Sequence, residues 1–319
     1  MVSVHLDAGV VEVRDTPRPD RPDAFALIRL LIGGICNTDL ELQRGYYGFS
    51  GTPGHEFVGE VVTADSGHLI GKRVVGEINL ACGHCSWCGR DLGRHCPHRT
   101  VLGIVKHPGA FSEFLTLPER NLHVVPDEIP LEAAVFVEPL AAACEILDQT
   151  DLAQGSKVAV LGDGKLGLLI AQVLHAQGCH VHQFGKHAEK LRISAARGIG
   201  TEVIGGRPLP TAAFPYVIDA TGSPAGLRAA VAMVEPRGTV ILKSTVHGEV
   251  PVDTAPVIVN EITLIGSRCG RFEPALELLK SGTVDVASLI SERLPLSQAP
   301  AAFARAAQPG VLKVLLTAG

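Results

Sequence analysis

No stretch of this chain strings together the ~18 uncharged apolar residues that a membrane-spanning helix requires. The N-terminal segment "MVSVHLDAGVVEVRD" is interrupted by Asp7, Glu12, Arg14 and Asp15 before the apolar core of a signal peptide could form. Charge of one sign is scarce too: a net charge of −5 over 319 residues gives no basic surface for nucleic acid or an anionic membrane. Eight cysteines in a chain this long are too few and too unevenly placed for a disulfide framework. The expectation is a cytoplasmic protein with neither nucleic acid nor membrane as a partner. What is present suits a globular, enzyme-like protein: 46% hydrophobic residues, 19% charged and 35 glycines. The length allows two domains, each with its own core.

Two textures follow one another along the chain. Residues 1 to about 122 are rich in Gly and Pro and carry short β-branched runs such as "AFALIRLLIGG", "HEFVGEVV" and "KRVVGEI", a pattern of short strands joined by turns. From about 157 to about 267 strand and helix alternate through "KVAVLG", "KLGLLIAQVLHAQG", "HVHQFG", "HAEKLRISAARG", "YVIDATG", "PAGLRAAVAMV" and "GTVILKS". Such alternation predicts a parallel sheet covered by helices on both faces. An amphipathic helix, "FEPALELLKSG", and a closing strand, "VLKVLLTAG", complete the chain.

Four of the cysteines lie together in "CGHCSWCGRDLGRHC", at Cys82, Cys85, Cys88 and Cys96. Intervals this short let successive thiolates turn inward around one ion, the pattern of a closed structural zinc site. An iron–sulfur cluster also uses four thiolates, but its usual spacings differ. In "LGDGKLG", Gly162, Gly164 and Gly167 form GxGxxG with Lys165 and Leu166 between them, after a predicted strand and before a predicted helix. The pattern is weak alone, and in a βαβ unit it predicts a dinucleotide whose pyrophosphate rests on the helix N-terminus. Cys36 in "GGICNTD" offers a thiolate, His55 an imidazole and Glu56 or Glu138 a carboxylate, three protein ligands with room for a fourth. Taken singly, a cysteine in a turn and a histidine beside a glutamate are more often structural.

Together, "GICNTD", "GHEFVGEVV", "CGHCSWCGRDLGRHC", "GAFSEFLTLPERNLHVVPD", "VEPLA" and "VLGDGKLGLLIAQV" resemble the zinc-dependent branch of the medium-chain dehydrogenase/reductase superfamily, most closely its threonine and sorbitol dehydrogenase-like members. The resemblance covers nearly the whole chain. It implies an α/β protein: a Rossmann doubly wound parallel sheet at 140–267, and a β-rich GroES-like catalytic domain at 1–139 and 268–319 with a zinc lobe near 80–98. It also implies that Cys36 and His55 bind a catalytic zinc, that Glu56 is a ligand or near-ligand, and that Glu138 stands where a third ligand or exchangeable carboxylate comes from. Asp39 matches the carboxylate that orients the ligand histidine, and Thr38 the hydroxyl that takes the substrate proton. Where many relatives carry a proton-relaying histidine, this chain has Glu41. That glutamate relays the proton itself, or the relay runs through cofactor ribose and water, or Glu41 is an exposed loop residue. The loop between Tyr47 and His55 is shorter than usual in the family, so the resemblance does not carry a substrate.

Relatives that prefer NAD end the second strand of the dinucleotide fold with an acidic residue. Here the aligned position is Gly185, followed by Lys186, with His187 and Lys190 near, so NADP(H) is expected over NAD(H). Thr221 and Gly222 in "IDATGS" are expected beside the nicotinamide half, and Arg268 in "LIGSRCG" is available to a phosphate or the nicotinamide amide. His107, Cys144, Cys179 and Cys269 read as packing residues. The expected protein is a zinc-dependent alcohol dehydrogenase or carbonyl reductase, with two zinc ions, a small alcohol or carbonyl substrate and a dimeric or tetrameric assembly. An NAD-dependent polyol or amino-alcohol dehydrogenase is the enzymatic alternative, and a zinc-binding nucleotide sensor without turnover is the alternative of another class.

Overall fold

The apolar run "FALIRLLIGG" forms a ten-residue strand, Phe25–Gly34, in the computed structural model, which describes residues 1–245 and 250–318. Most of its residues are buried. It pairs antiparallel with Glu56–Thr63, Phe114–Pro118 and Lys313–Thr317 inside a seven-stranded sheet. Register decides what meets at the strand's end: Glu56 and Leu315 both lie opposite Gly34, two residues before Cys36. Sequence-distant side chains are thereby gathered around one loop.

This sheet belongs to a unit made of Met1–Glu138, Phe272–Ser281 and Leu289–Gly319. The same unit holds a hairpin of Val2–Asp7 with Val10–Asp15 and a small sheet of Asn79–Leu80, Thr100–Leu102 and Lys106–His107. Between the first two strands of that small sheet runs the four-cysteine loop, which carries only single 3₁₀ turns, at Cys88–Arg90 and Gly93–His95. Gly319, the last residue of the expected closing strand, lies outside the described residues; the strand itself is Lys313–Thr317.

A second unit comprises Pro139–Arg271 with Gly282–Ser288. Its six-stranded sheet is parallel throughout, ordered Gly200–Val203, His180–Gly185, Lys157–Leu161, Phe214–Asp219, Val234–Leu242 and Thr263–Gly266. The chain starts in the middle with Lys157–Leu161, builds outward to one side, then returns to build the other. At such a reversal the loops at the carboxyl ends of the strands leave a crevice for ligand. Helices Lys165–Ala176, Ala188–Ala195 and Pro224–Met233 connect the strands, and Leu161, Phe184, Val217, Met233 and Val240 pack together in the core. Helix Lys165–Ala176 is apolar on most faces, with Leu168, Leu169, Ile170, Val173 and Leu174 all buried. The alternation read from sequence is present, with two four-residue strands, Gly200–Val203 and Thr263–Gly266, that it did not anticipate. Strands so short offer too few positions for a period-two pattern to register. No helix among the described residues is long and apolar enough to cross a membrane.

Candidate metal centres and nucleotide site

Cys82, Cys85, Cys88 and Cys96 bring their sulfur atoms within 4.8 Å of one another. Individual Sγ separations are 3.5 Å for Cys85–Cys88 and Cys82–Cys96, 3.7 Å for Cys85–Cys96 and 3.9 Å for Cys82–Cys88. These exclude disulfides, which require about 2.05 Å. They match the edges of a tetrahedron of thiolates about 2.3 Å from a central zinc. The backbone N–H of His84, followed by that of Cys85, draws the Cys82 thiol down to about 6, so a thiolate is already favoured there. All four positions are filled by protein, and such a site holds its loop rather than substrate.

The second cluster joins Cys36, His55 and Glu56, again with ligand atoms within 4.8 Å. Cys36 is the N-cap of helix Asn37–Gln43, and Asp39 at the third helical position accepts a hydrogen bond from the Cys36 N–H through Oδ2 at 2.8 Å. The other oxygen of Asp39 accepts from the Gly54 N–H at 3.1 Å and lies 3.4 Å from His55 Nδ1. One buried carboxylate therefore ties the cysteine loop to the histidine loop. Gly54 has φ +101°, and a Cβ there would stand 2.5 Å from Phe111 Cδ1, so only glycine lets the chain turn into His55. Burial pulls the His55 imidazole down, but the Asp39 and Cys36 charges outweigh it and hold the group well above its ordinary range.

Glu56 is fully buried and is gripped by Lys313, whose Nζ donates to Oε2. Lys313 is equally buried, with its ammonium 5.7 Å from the centre of the Phe136 ring. Burial works against the ammonium, yet the Glu56 charge, then Cys36, raises its affinity for the proton. Glu56 Oε1 has no hydrogen-bond partner, and His55 Nδ1 faces only the Asp39 carboxylate. A buried carboxylate oxygen without a donor, beside a thiol and an imidazole, is a donor set that fits zinc. Thr38 Oγ1 lies 3.8 Å from Cys36 Sγ. Glu138, in the first turn of helix Val137–Gln149, is not among the three converging ligands. Glu41 is directed elsewhere, paired with Arg44 at 2.6 Å in an exposed contact.

In the second unit, the glycine loop follows strand Lys157–Leu161. A Cβ on Gly162 would stand 2.5 Å from the Ala220 carbonyl oxygen, and one on Gly167 2.4 Å from the Gly162 oxygen. Gly164, the N-cap of helix Lys165–Ala176, meets nothing within 4 Å, so its backbone is open to a pyrophosphate, with Lys165 and Leu166 in the first turn behind it. Gln183 braces the loop by donating to the Gly162 carbonyl at 2.7 Å. Thr221 donates through both N–H and Oγ1 to the buried Asp219 carboxylate, and the Gly222 N–H reaches Ser244 Oγ. Gly185 is buried, Lys186 exposed and Lys190 half-buried. Asp163 turns its carboxylate toward Gly185. His187 donates its backbone N–H to Asp163 Oδ2 at 2.6 Å and sets Nδ1 3.0 Å from the same oxygen. Lys243 sends its Nζ to the carbonyls of Ala142 and Arg268 and to Ser267 Oγ. Arg268 thus belongs to this hydrogen-bonded corner of the second unit through its backbone.

Sequence reading missed Lys313, Asp163 and Lys243. A lysine inside "VLKVLLT" was the available signal for the first, since an ammonium in an apolar strand must find an anion. Burial pushes the Cys144 thiol up to about 12 and raises that of Cys179, which suits inert packing. A surface cavity of about 420 Å³, lined in part by Gln172, His175 and Arg197, contains none of the candidate residues.

Residues 22–127 match the model of the alcohol dehydrogenase GroES-like domain, and residues 166–281 that of the zinc-binding dehydrogenase. The chain is 33% identical to an L-threonine 3-dehydrogenase of Streptomyces coelicolor, over 95% of this chain and 94% of the relative. It is 29% identical to a D-altritol 5-dehydrogenase of Agrobacterium fabrum, over 98% of each. A zinc-binding dehydrogenase of Sinorhizobium meliloti, solved with NADP bound, superposes with a TM-score of 0.90 at 27% identity, covering 99% of this chain and 98% of that one. With a four-thiolate loop, a Cys–His–Glu cluster and a glycine-braced parallel sheet on one chain, these likenesses agree: the protein belongs to the zinc-binding alcohol dehydrogenases of the medium-chain dehydrogenase/reductase superfamily.

Proposed function

We propose that this dehydrogenase binds two zinc ions and exchanges a hydride between a nicotinamide dinucleotide and a hydroxyl-bearing carbon of a polyol or amino-alcohol. The observation that carries the reading is the cluster of Cys36, His55 and Glu56, with Glu56 Oε1 buried and without a hydrogen-bond partner and Asp39 bracing both ligand loops. A zinc held by Cys36, His55 and Glu56 would supply a Lewis acid for the substrate oxygen, and a bound nicotinamide would supply the hydride acceptor or donor. Asp39 fixes the position of His55, and Thr38 takes the hydroxyl proton. Glu41, half-buried in helix Asn37–Gln43 rather than in an exposed loop, is committed to Arg44 and is read as outside the proton path. Glu138 is retained as an exchangeable carboxylate, and Lys313 is the counter-charge paired with Glu56. The glycine loop, Lys165 and Leu166 receive the pyrophosphate. Thr221, Gly222 and Arg268 are assigned to the nicotinamide half.

Relatives named for altritol, sorbitol and threonine support a substrate with neighbouring polar groups. The test is a panel of polyols, amino-alcohols, simple alcohols and ketones, followed by nicotinamide absorbance with both cofactors. No turnover on any of them, despite bound cofactor, would favour the nucleotide-sensing alternative. Gly185, Lys186 and Lys190 support NADP(H), the expected preference. Asp163 beside them supports NAD(H), and with it the second reading, an NAD-dependent polyol or amino-alcohol dehydrogenase.

Assembly into a homo-oligomer is supported by the edge strand Thr263–Gly266. Its Leu264 is exposed, as are Ile258 and Val259 on the preceding helix, Ala255–Val259. An uncovered apolar edge is a template for antiparallel pairing with a second copy. Light scattering should therefore show a multimer that Leu264→Lys disperses. Reduced thiols at eight positions suit a cytoplasmic setting.

A further inference from the structure

We infer that Asp163, from within the glycine loop, is the specificity-determining carboxylate for the adenosine ribose, and that it directs the site toward NAD(H). The inference rests on the dinucleotide reading of this unit and deepens it. In a parallel sheet of this order, the discriminating side chain projects from the end of the second strand, here His180–Gly185. That strand ends in glycine, which by itself argues for a 2′-phosphate.

Space tells otherwise. A Cβ built on Gly185 would lie 2.5 Å from Asp163 Cβ, 2.8 Å from its Cγ and 2.7 Å from its Oδ2. The last distance is close to that between the Cβ and a carboxylate oxygen within one aspartate. The Asp163 carboxylate therefore fills the volume that an acidic side chain at 185 would occupy, and the two positions cannot both carry side chains. Asp163 is anchored by His187, which contacts Oδ2 through its backbone N–H and its ring. Oδ1 has no protein partner among the described residues, leaving an acceptor for a ribose hydroxyl.

Charge decides the selectivity. A phosphate monoester carries nearly two negative charges at neutral pH, and set against a mostly buried carboxylate it is repelled with little screening. Lys186 is exposed, so its attraction for the phosphate is weakened by water. The free 2′-hydroxyl of NAD(H) instead donates to the carboxylate, a charge-assisted hydrogen bond about twice as strong as a neutral one.

The test is titration of the zinc-loaded protein with NADH and with NADPH, read by nicotinamide fluorescence, with no substrate present. Wild type should bind NADH at least about tenfold tighter, which corresponds to roughly 1.4 kcal/mol. Asp163→Asn, which keeps the shape and removes the charge, should weaken NADH by roughly tenfold and strengthen NADPH. The double variant Asp163→Gly with Gly185→Asp returns the carboxylate to the strand end and should keep the NADH preference, which decides the matter if Asp163→Asn fails to fold. Tighter binding of NADPH by the wild type, or an unchanged ratio in folded Asp163→Asn, overturns the assignment and leaves the dinucleotide reading standing. Binding of neither cofactor removes both.

Discussion

Replacing Lys313 with methionine would leave Glu56 as a buried carboxylate without its cation. Both side chains are essentially inaccessible, at 1% and 0% exposure, and Lys313 donates directly to Glu56 Oε2. Removing one partner of such a pair costs about 3–5 kcal/mol. Removing both charges is different. Glu56→Met with Lys313→Met replaces the pair by apolar side chains of similar volume and should cost less than about 1 kcal/mol in zinc-stripped protein. With zinc bound, the cation beside Glu56 compensates the orphaned charge, so Lys313→Met should be milder in loaded than in stripped protein. Urea unfolding followed by circular dichroism reads the loss. If stripped Lys313→Met unfolds within about 0.5 kcal/mol of wild type, the pair does not carry the electrostatic burden assigned to it. A double variant as unstable as the single one would refute the reasoning equally.

Cys85→Ser should lower both stability and metal content by one zinc per chain, because structural zinc supplies folding free energy, whereas Cys36→Ser should keep the fold and abolish turnover. Elemental analysis and circular dichroism separate the two, and equal loss of fold in both would contradict the division of roles. Thr38→Val keeps the shape and removes the hydroxyl, so single-turnover hydride transfer should slow by roughly 10²-fold or more; an unaltered rate would free Thr38 from the proton path. Glu41→Gln should leave the pH profile of that rate unchanged, since Glu41 is held in a surface contact with Arg44. In zinc-stripped protein His55 is held well above its ordinary value, with the Asp39 and Cys36 charges overcoming burial. Its contribution is therefore complete below the unfolded pKa of about 6.5 and is lost as pH rises through the folded value. The urea midpoint of stripped protein should fall as pH is raised above neutrality, and zinc uptake should release protons to the buffer; a flat midpoint with no proton release would exclude a protonated His55.

Much of this protein is written locally. Four cysteines within fifteen residues, a glycine loop between strand and helix, and the alternation from Lys157 onward are patterns of neighbours in sequence, which backbone periodicity and ligand reach convert directly into structure. The same holds for Cys36 and Asp39, three residues apart, whose capping geometry follows from the helix that begins between them. Gly282–Ser288 joining the second unit leaves no comparable mark. Nor does the Glu56–Lys313 pair, whose members are 257 residues apart and meet because two strands align on either side of Phe25–Gly34. Gly185 is the sharpest case. Sequence alone reads its missing side chain as a missing charge, but the neighbouring loop sends Asp163 into that same space, 2.7 Å from where a Cβ would stand. Local order specifies which residues a segment carries and how it is shaped. Which charge fills a given volume depends on the packing of segments that share no pattern in sequence, and only the folded chain decides it.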